Sequence, residues 1–181
     1  MSRRLGLFAI ALSTAGADRL SKQVIDGMSP EALPVDLLGA WIRIVYGENH
    51  GGLFGLAQGS APFLAALSVG VIALLVFVHE RERASRVTLM TIAIGALAGG
   101  AIGNLVDRLQ YGYVLDFIDI GIGNLRFWTF NLADAGITTG ILLLLADAIL
   151  PARILPSIRT GSTKTPPVSS SSQRTTLRSR A

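Results

Sequence analysis

The chain contains no cysteine, which excludes disulfides, thiolate nucleophiles and Cys-ligated metals. Histidine occurs only twice, at His50 and His79, and no HExxH pattern surrounds either, so a zinc peptidase is not expected. Charge is scarce as well. Only 15% of residues are charged, against about a quarter in an ordinary soluble domain. No internal repeat is visible. What is present instead is apolar: half of the residues are hydrophobic, the mean hydropathy is +0.52, and the apolar residues run in blocks of membrane-spanning length. These features describe a small polytopic membrane protein. The net charge of +4 would suit nucleic acid if it were clustered, but the charges follow the loops of a membrane topology, so no nucleic acid partner is expected.

Four blocks read as transmembrane helices: about 5–25, 62–79, 87–108 and 132–150. Each is close to the ~20 residues that cross ~30 Å of hydrocarbon. Arg3 and Arg4 precede the first, Arg81, Arg83 and Arg86 separate the second from the third, and a run from Arg153 to Arg180 follows the fourth. The other two loops, 26–61 and 109–131, hold only Arg43 and Arg126. Positive residues stay inside, so both termini are expected in the cytoplasm and these two loops outside. The start, SRR then LGLFAIALS then AGA, also has the form of a cleavable signal peptide. Against that reading, Asp18 to Lys22 is followed by no obvious mature globular domain, and cleavage would put the basic tail outside. The tail, 152–181, is Ser/Thr/Pro-rich and basic, and is expected to be disordered and to touch anionic lipid.

The outer loops carry strand signals. WIRIVYGEN (41–49) alternates, while VLDFIDI (114–120) and LRFWTF (125–130) flank GIGN (121–124) as a hairpin. The fold class expected is mainly α, with four transmembrane helices and a small extracytoplasmic β-cradle.

Polar groups within spans are costly and mark function, and here they gather at the outer level. Asp18 and Lys22 lie one turn apart, Asn104, Asp107 and Arg108 end the third span, and Asn131 and Asp134 open the fourth. Asp116 lies in the hairpin region and Asn49 just before the second span; three of the four asparagines fall at this level. Each site has a structural explanation. Asn131 with Asp134 is nearly a capping box. Asp18 with Lys22 is an i, i+4 ion pair. Asp107–Arg108 suits interface snorkelling, GALAGGAIG (95–103) suits close helix packing, and His79 beside Glu80 reads as a solvated span end. These readings do not explain why Asp116, in an otherwise apolar hairpin, is followed so soon by Asp134 at a helix mouth, which would bring two carboxylates together in a partly dry site. Such a pair shares a proton, so that one carboxylate can activate water while the carboxylic acid polarises a carbonyl. No metal or cofactor is needed, and no serine has a histidine base on the same membrane face.

Five blocks then carry a family resemblance: DRLSK (18–22), NHGGLFGL (49–56), GGAIGNLVDR (99–108), VLDFID (114–119) and FNLADAGI (130–137). In order and spacing the chain resembles bacterial lipoprotein signal peptidase, signal peptidase II, over essentially all of residues 1–150. The resemblance implies a four-span intramembrane aspartic peptidase domain over 1–151, in the bacterial inner membrane, with its active site near the outer face. It implies cleavage of diacylglyceryl-modified prolipoproteins just before the lipidated Cys. Asp116 and Asp134 would be the catalytic dyad. Asn49, Asn104, Arg108 and Asn131 would bind the substrate or support the dyad, with Asp18, Lys22 and Asp107 in the same pocket and Phe54 and Gly55 shaping the loop over the substrate. Lipid is an expected partner, and a monomer is expected.

Three departures bear on loop shape and substrate preference: Arg19 where Gln is usual, Gly52-Leu53 in place of Ala-Ala, and Trp128-Thr129 without the usual Pro. The rival readings are a proton- or ion-coupled transporter, which would favour midplane acids and repeat symmetry, and a non-enzymatic membrane assembly factor.

Overall fold

The computed structural model describes residues 1–39, 41–51, 61–82 and 84–150. Four long helices, α1 (Arg3–Asp26), α2 (Ala61–Arg81), α3 (Leu89–Tyr111) and α4 (Leu132–Ile149), occupy the four stretches read as spans. Three of them, α2, α3 and α4, are long and apolar enough to cross a membrane. The first is equally long, but Asp18, Arg19, Lys22 and Asp26 break the apolar character of its second half. The predicted tail lies outside the described residues.

Small side chains put α3 at the centre, packed against α1, α2 and α4. A Cβ on Gly100 would come within 2.3 Å of the Ala133 carbonyl oxygen, and one on Gly103 within 2.6 Å of Asp18 Oδ2. Only glycine admits backbones at this separation. The expected close-packing face is therefore present, and it brings α1 and α4 against the same stretch of α3. By contrast α2 and α4 turn Phe63, Leu74, Phe77, Leu142, Leu145 and Ile149 outward, an apolar surface that water would not tolerate as one patch.

Caps set the helix ends. Thr88 and Thr91 exchange side-chain and backbone bonds at the start of α3, and Gly112, at φ 79°, closes its end in the left-handed region that glycine favours. Four strands form one antiparallel sheet in the order β1 (Val35–Asp36), β2 (Ile42–Asn49), β3 (Val114–Ile122), β4 (Leu125–Arg126). The hairpin is tighter than the sequence suggests. β3 runs on through Gly121 and Ile122, and the turn is only Gly123–Asn124, with Gly123 at φ 55°. The second arm leaves the ladder after Arg126 and rejoins it at a single Phe130–Ile118 bridge. Strand β1, two residues long, carries no alternation from which to predict it.

Ile25, Leu115 and Phe117 form a buried cluster that seats the sheet on the end of α1. The opposite end of the bundle joins the N-terminus to the α2–α3 connection: Ser2 bridges Arg86, Arg4 Nη2 lies 2.6 Å from Glu80 Oε2, and Arg3 donates to the His79 carbonyl. Here one expectation is overturned. His79 is not a solvated span end but is fully buried, and neither ring nitrogen has a hydrogen-bond partner among the described residues. Arg3 and Glu80 close over it, which one residue's sequence context does not reveal.

Candidate active site

At the sheet end of the bundle, β3 and the start of α4 bring two carboxylates to one asparagine. Asn131 is the N-cap of α4: its Oδ1 accepts from the Asp134 N–H at 3.0 Å, and Asp134 Oδ2 accepts in return from the Asn131 N–H at 3.3 Å. The capping box is therefore complete. Because Oδ1 faces the helix, the Asn131 Nδ2 group must face the other way, and it donates to Asp116 Oδ1 at 2.7 Å. The same side chain thus caps the helix and binds the strand carboxylate.

Two further asparagines are oriented by the same logic. Asn49 Oδ1 accepts from the Gly51 N–H at 3.1 Å, so its Nδ2 is the group 2.9 Å from Asp116 Oδ2. Asn104 Oδ1 accepts from Lys22 Nζ at 3.2 Å and from Asn131 Nδ2 at 3.2 Å, so its Nδ2 points to Asp134 Oδ1 at 2.8 Å. Each carboxylate oxygen of the pair accepts from an amide N–H, and none of these four donors is a cation.

That environment separates the two acids. Asp116 is almost fully buried, 2% exposed, whereas Asp134 is half-buried. Burial, reinforced by the nearby Asp134 charge, pushes the Asp116 carboxyl up to about 7, against the opposing pull of the Asn49 and Asn131 amides. Arg108, half-buried, makes its hydrogen bonds to backbone: Nη1 to the Asn104 carbonyl and Nη2 to the Gly51 carbonyl, both at 3.2 Å. It ties Gly51 to α3.

Beneath the pair lies an ionic layer. Lys22 Nζ is 2.8 Å from Asp18 Oδ2 and 2.7 Å from Asp107 Oδ2, all three residues being buried. Asp107 therefore does not snorkel to an interface; the α1 lysine holds it inside the bundle. Arg19 lies over the Tyr111 ring, with its Nη1 3.9 Å from Asp107 Oδ1. The sequence-predicted Asp18, Lys22, Asn49, Asn104, Asp107, Arg108, Asp116, Asn131 and Asp134 thus all gather at this end. Phe54, Gly55 and the Gly52-Leu53 departure lie outside the described residues.

Sequence reasoning passed over Asp119. It sits in the VLDFID block, and Arg43 and Arg126, the only basic residues of the outer loops, both grip it, with Nη2 of each at 2.6 and 2.8 Å from Oδ2. Arg126, seven residues on across the GIGN turn, was the available signal; Arg43 is 76 residues away and is brought in by the sheet. Among the described residues no group of three or more His, Cys, Asp or Glu could hold a metal ion.

The model of signal peptidase II matches residues 10–150. A lipoprotein signal peptidase of Caulobacter vibrioides is 43% identical over 152 residues, covering 79% of this chain and 86% of its own. That of Moorella thermoacetica is 36% identical over 146 residues, covering 79% and 92%. A solved structure described as a bacterial membrane enzyme superposes with a TM-score of 0.72 at 28% identity, covering 79% of this chain and 87% of that one. None of these likenesses supports a transporter. With matching blocks, matching fold and relatives above a third identical along most of both chains, the protein belongs to the signal peptidase II family and is a membrane protease.

Proposed function

We propose that the chain is an aspartic endopeptidase that removes the signal peptide from diacylglyceryl-modified prolipoproteins, cutting immediately before the lipidated Cys. The observation that carries this reading is the meeting of Asp116 and Asp134 at Asn131, with Asp116 buried and its carboxyl near neutrality. One proton shared by such a pair creates an acid and a base in the same site. Asp116, the more buried, holds the proton, and Asp134, with more access to solvent, is the base.

The base takes a proton from water as the oxygen attacks the scissile carbonyl, and Asp116 gives its proton to the carbonyl oxygen. The tetrahedral intermediate then collapses: the C–N bond breaks, a proton returns from the site to the departing nitrogen, and a carboxyl end and a free Cys amine leave. Asn49, Asn104 and Asn131 hold both carboxylates by neutral donors, which fixes their positions without neutralising them. Arg108 shapes the segment that follows Asn49.

All four long helices span the membrane in this reading, with both termini cytoplasmic and the sheet outside. The inside-positive distribution of Lys and Arg supports it, as does the placing of the N-terminus and the α2–α3 connection at the bundle end opposite the sheet. The charges of α1 are tolerated because Asp18 and Lys22 face α3 and α4, not lipid. The lipidated Cys keeps its acyl chains in the bilayer and its scissile bond at the site. The enzyme acts as a monomer on substrate held by the outer leaflet.

The test uses the purified chain in detergent with a lipidated prolipoprotein. Asp116→Asn and Asp134→Asn each lower cleavage by a factor on the order of 10²–10⁴ while the thermal unfolding profile persists, and a chelator leaves the wild-type rate unchanged. Cleavage at the wild-type rate by either variant contradicts the proposal. A substrate without the diacylglyceryl group is cut poorly.

A further inference from the structure

Among the described residues the buried ions Asp18, Lys22 and Asp107 make no hydrogen bond or ion pair to either proposed catalytic carboxylate, yet each member touches something that does the placing. Asp18 Oδ1 accepts from the Ala133 N–H at 2.9 Å, and Ala133 directly precedes Asp134. Asp107 Oδ2 accepts from the Leu115 N–H at 3.3 Å, and Leu115 directly precedes Asp116. Lys22 joins the two anions and also donates to Asn104 Oδ1, one of the two contacts, with that from Asn131, that turn the Asn104 amide donor towards Asp134. One cation from α1 is therefore connected to the residue before each carboxylate and to the amide that binds the second one. Gly103 makes the arrangement possible, since a Cβ there would meet Asp18 Oδ2 at 2.6 Å and the Ala133 Cβ at 3.2 Å.

A buried ion pair is a poor device for stability alone, because apolar residues of the same volume often stabilise as well or better. It is a good device for fixing separation, since charge-assisted bonds are short and directional. Reacting groups need such fixing: a misplacement of about 1 Å costs on the order of 10²-fold in rate.

We infer that the Asp18–Lys22–Asp107 triad is a positioning unit for the reaction, setting the separation of Asp116 and Asp134 by holding Ala133 and Leu115 and by orienting Asn104. The inference rests on the dyad reading above.

It is tested by kinetics on a lipidated prolipoprotein with Lys22→Met and the milder Asp107→Asn, which retains an oxygen for the Leu115 N–H. Because all three residues are buried and a positioning unit acts through the dyad, kcat falls on the order of 10²-fold in Lys22→Met and about tenfold in Asp107→Asn, while KM stays within about threefold. Thermal unfolding in detergent establishes which variants fold. A folded variant with wild-type kcat, or one whose loss lies in KM alone, overturns the inference, and failure of both to fold assigns the triad to stability and overturns it too. Asp116→Asn is run beside them. If it cleaves normally the dyad reading has failed, whereas an inactive Asp116→Asn beside a fully active, folded Lys22→Met removes only the positioning role.

Discussion

Asp116 and Asp119 lie three residues apart on the same strand, both buried, and their neighbours make them opposites. The side chains bonded to Asp116 are the amides of Asn49 and Asn131; two guanidiniums grip Asp119. Burial and the Asp134 charge raise the Asp116 carboxyl to about 7. Arg126 first, then Arg43, holds the Asp119 carboxyl below the usual carboxylate range. Amide donors position a carboxylate but leave its proton available, whereas cations position it and take its proton chemistry away. In the ionic layer Lys22 donates to Asn104 Oδ1, and Asn104 in turn donates to Asp134 through Nδ2, so an amide again makes the direct contact with the carboxylate.

The largest effect that separates the two aspartates is on turnover: Asp116→Asn lowers cleavage by a factor on the order of 10²–10⁴, and Asp119→Asn leaves kcat within a few-fold of wild type. A smaller effect sharpens the role of the amides. In the proposed mechanism the reactive form carries its proton on Asp116, which predicts a rate that falls as pH rises through about 7. The Asn49 donor favours the ionised carboxylate and lowers that value, so in Asn49→Ala the alkaline limb of the kcat/KM profile moves to higher pH. An alkaline limb that stays in place or moves down removes Asn49 from the control of Asp116.

The smallest effect concerns stability. Asp119 has its folded pKa depressed, so its contribution is present above the unfolded value near 4 and is lost as pH falls through the folded value. Asp119→Asn costs roughly 1–3 kcal/mol of stability at neutral pH by analogy with other charged hydrogen bonds, and wild type and variant converge in acid. Thermal unfolding in detergent at several pH values measures this, and an equal gap at all pH values contradicts it.

Much of this was legible in the chain because membrane helices are long apolar runs and because Asn131 and Asp134 advertise a helix start. The i, i+4 spacing gave the Asp18–Lys22 pair, but nothing local gave its third member: Asp107 joins them only because glycine lets α1 and α3 approach closely. Burial of His79 was hidden for the same reason, since Arg3 and Glu80 close over it from different helices. Strand β1 was too short to alternate. Asp119 lies in VLDFID seven residues before Arg126, but its second partner, Arg43, is 76 residues away and reaches it only through the β2–β3 pairing, and the two outer-loop arginines were read for topology alone.

The most direct measurement is infrared difference spectroscopy of protonated carboxyl groups in the purified protein between about pH 5 and pH 9. The account predicts a carboxylic acid band that disappears as pH rises through the neutral range, is missing from Asp116→Asn and survives in Asp119→Asn. A band unchanged in Asp116→Asn, or no protonated carboxyl near neutral pH, would contradict it.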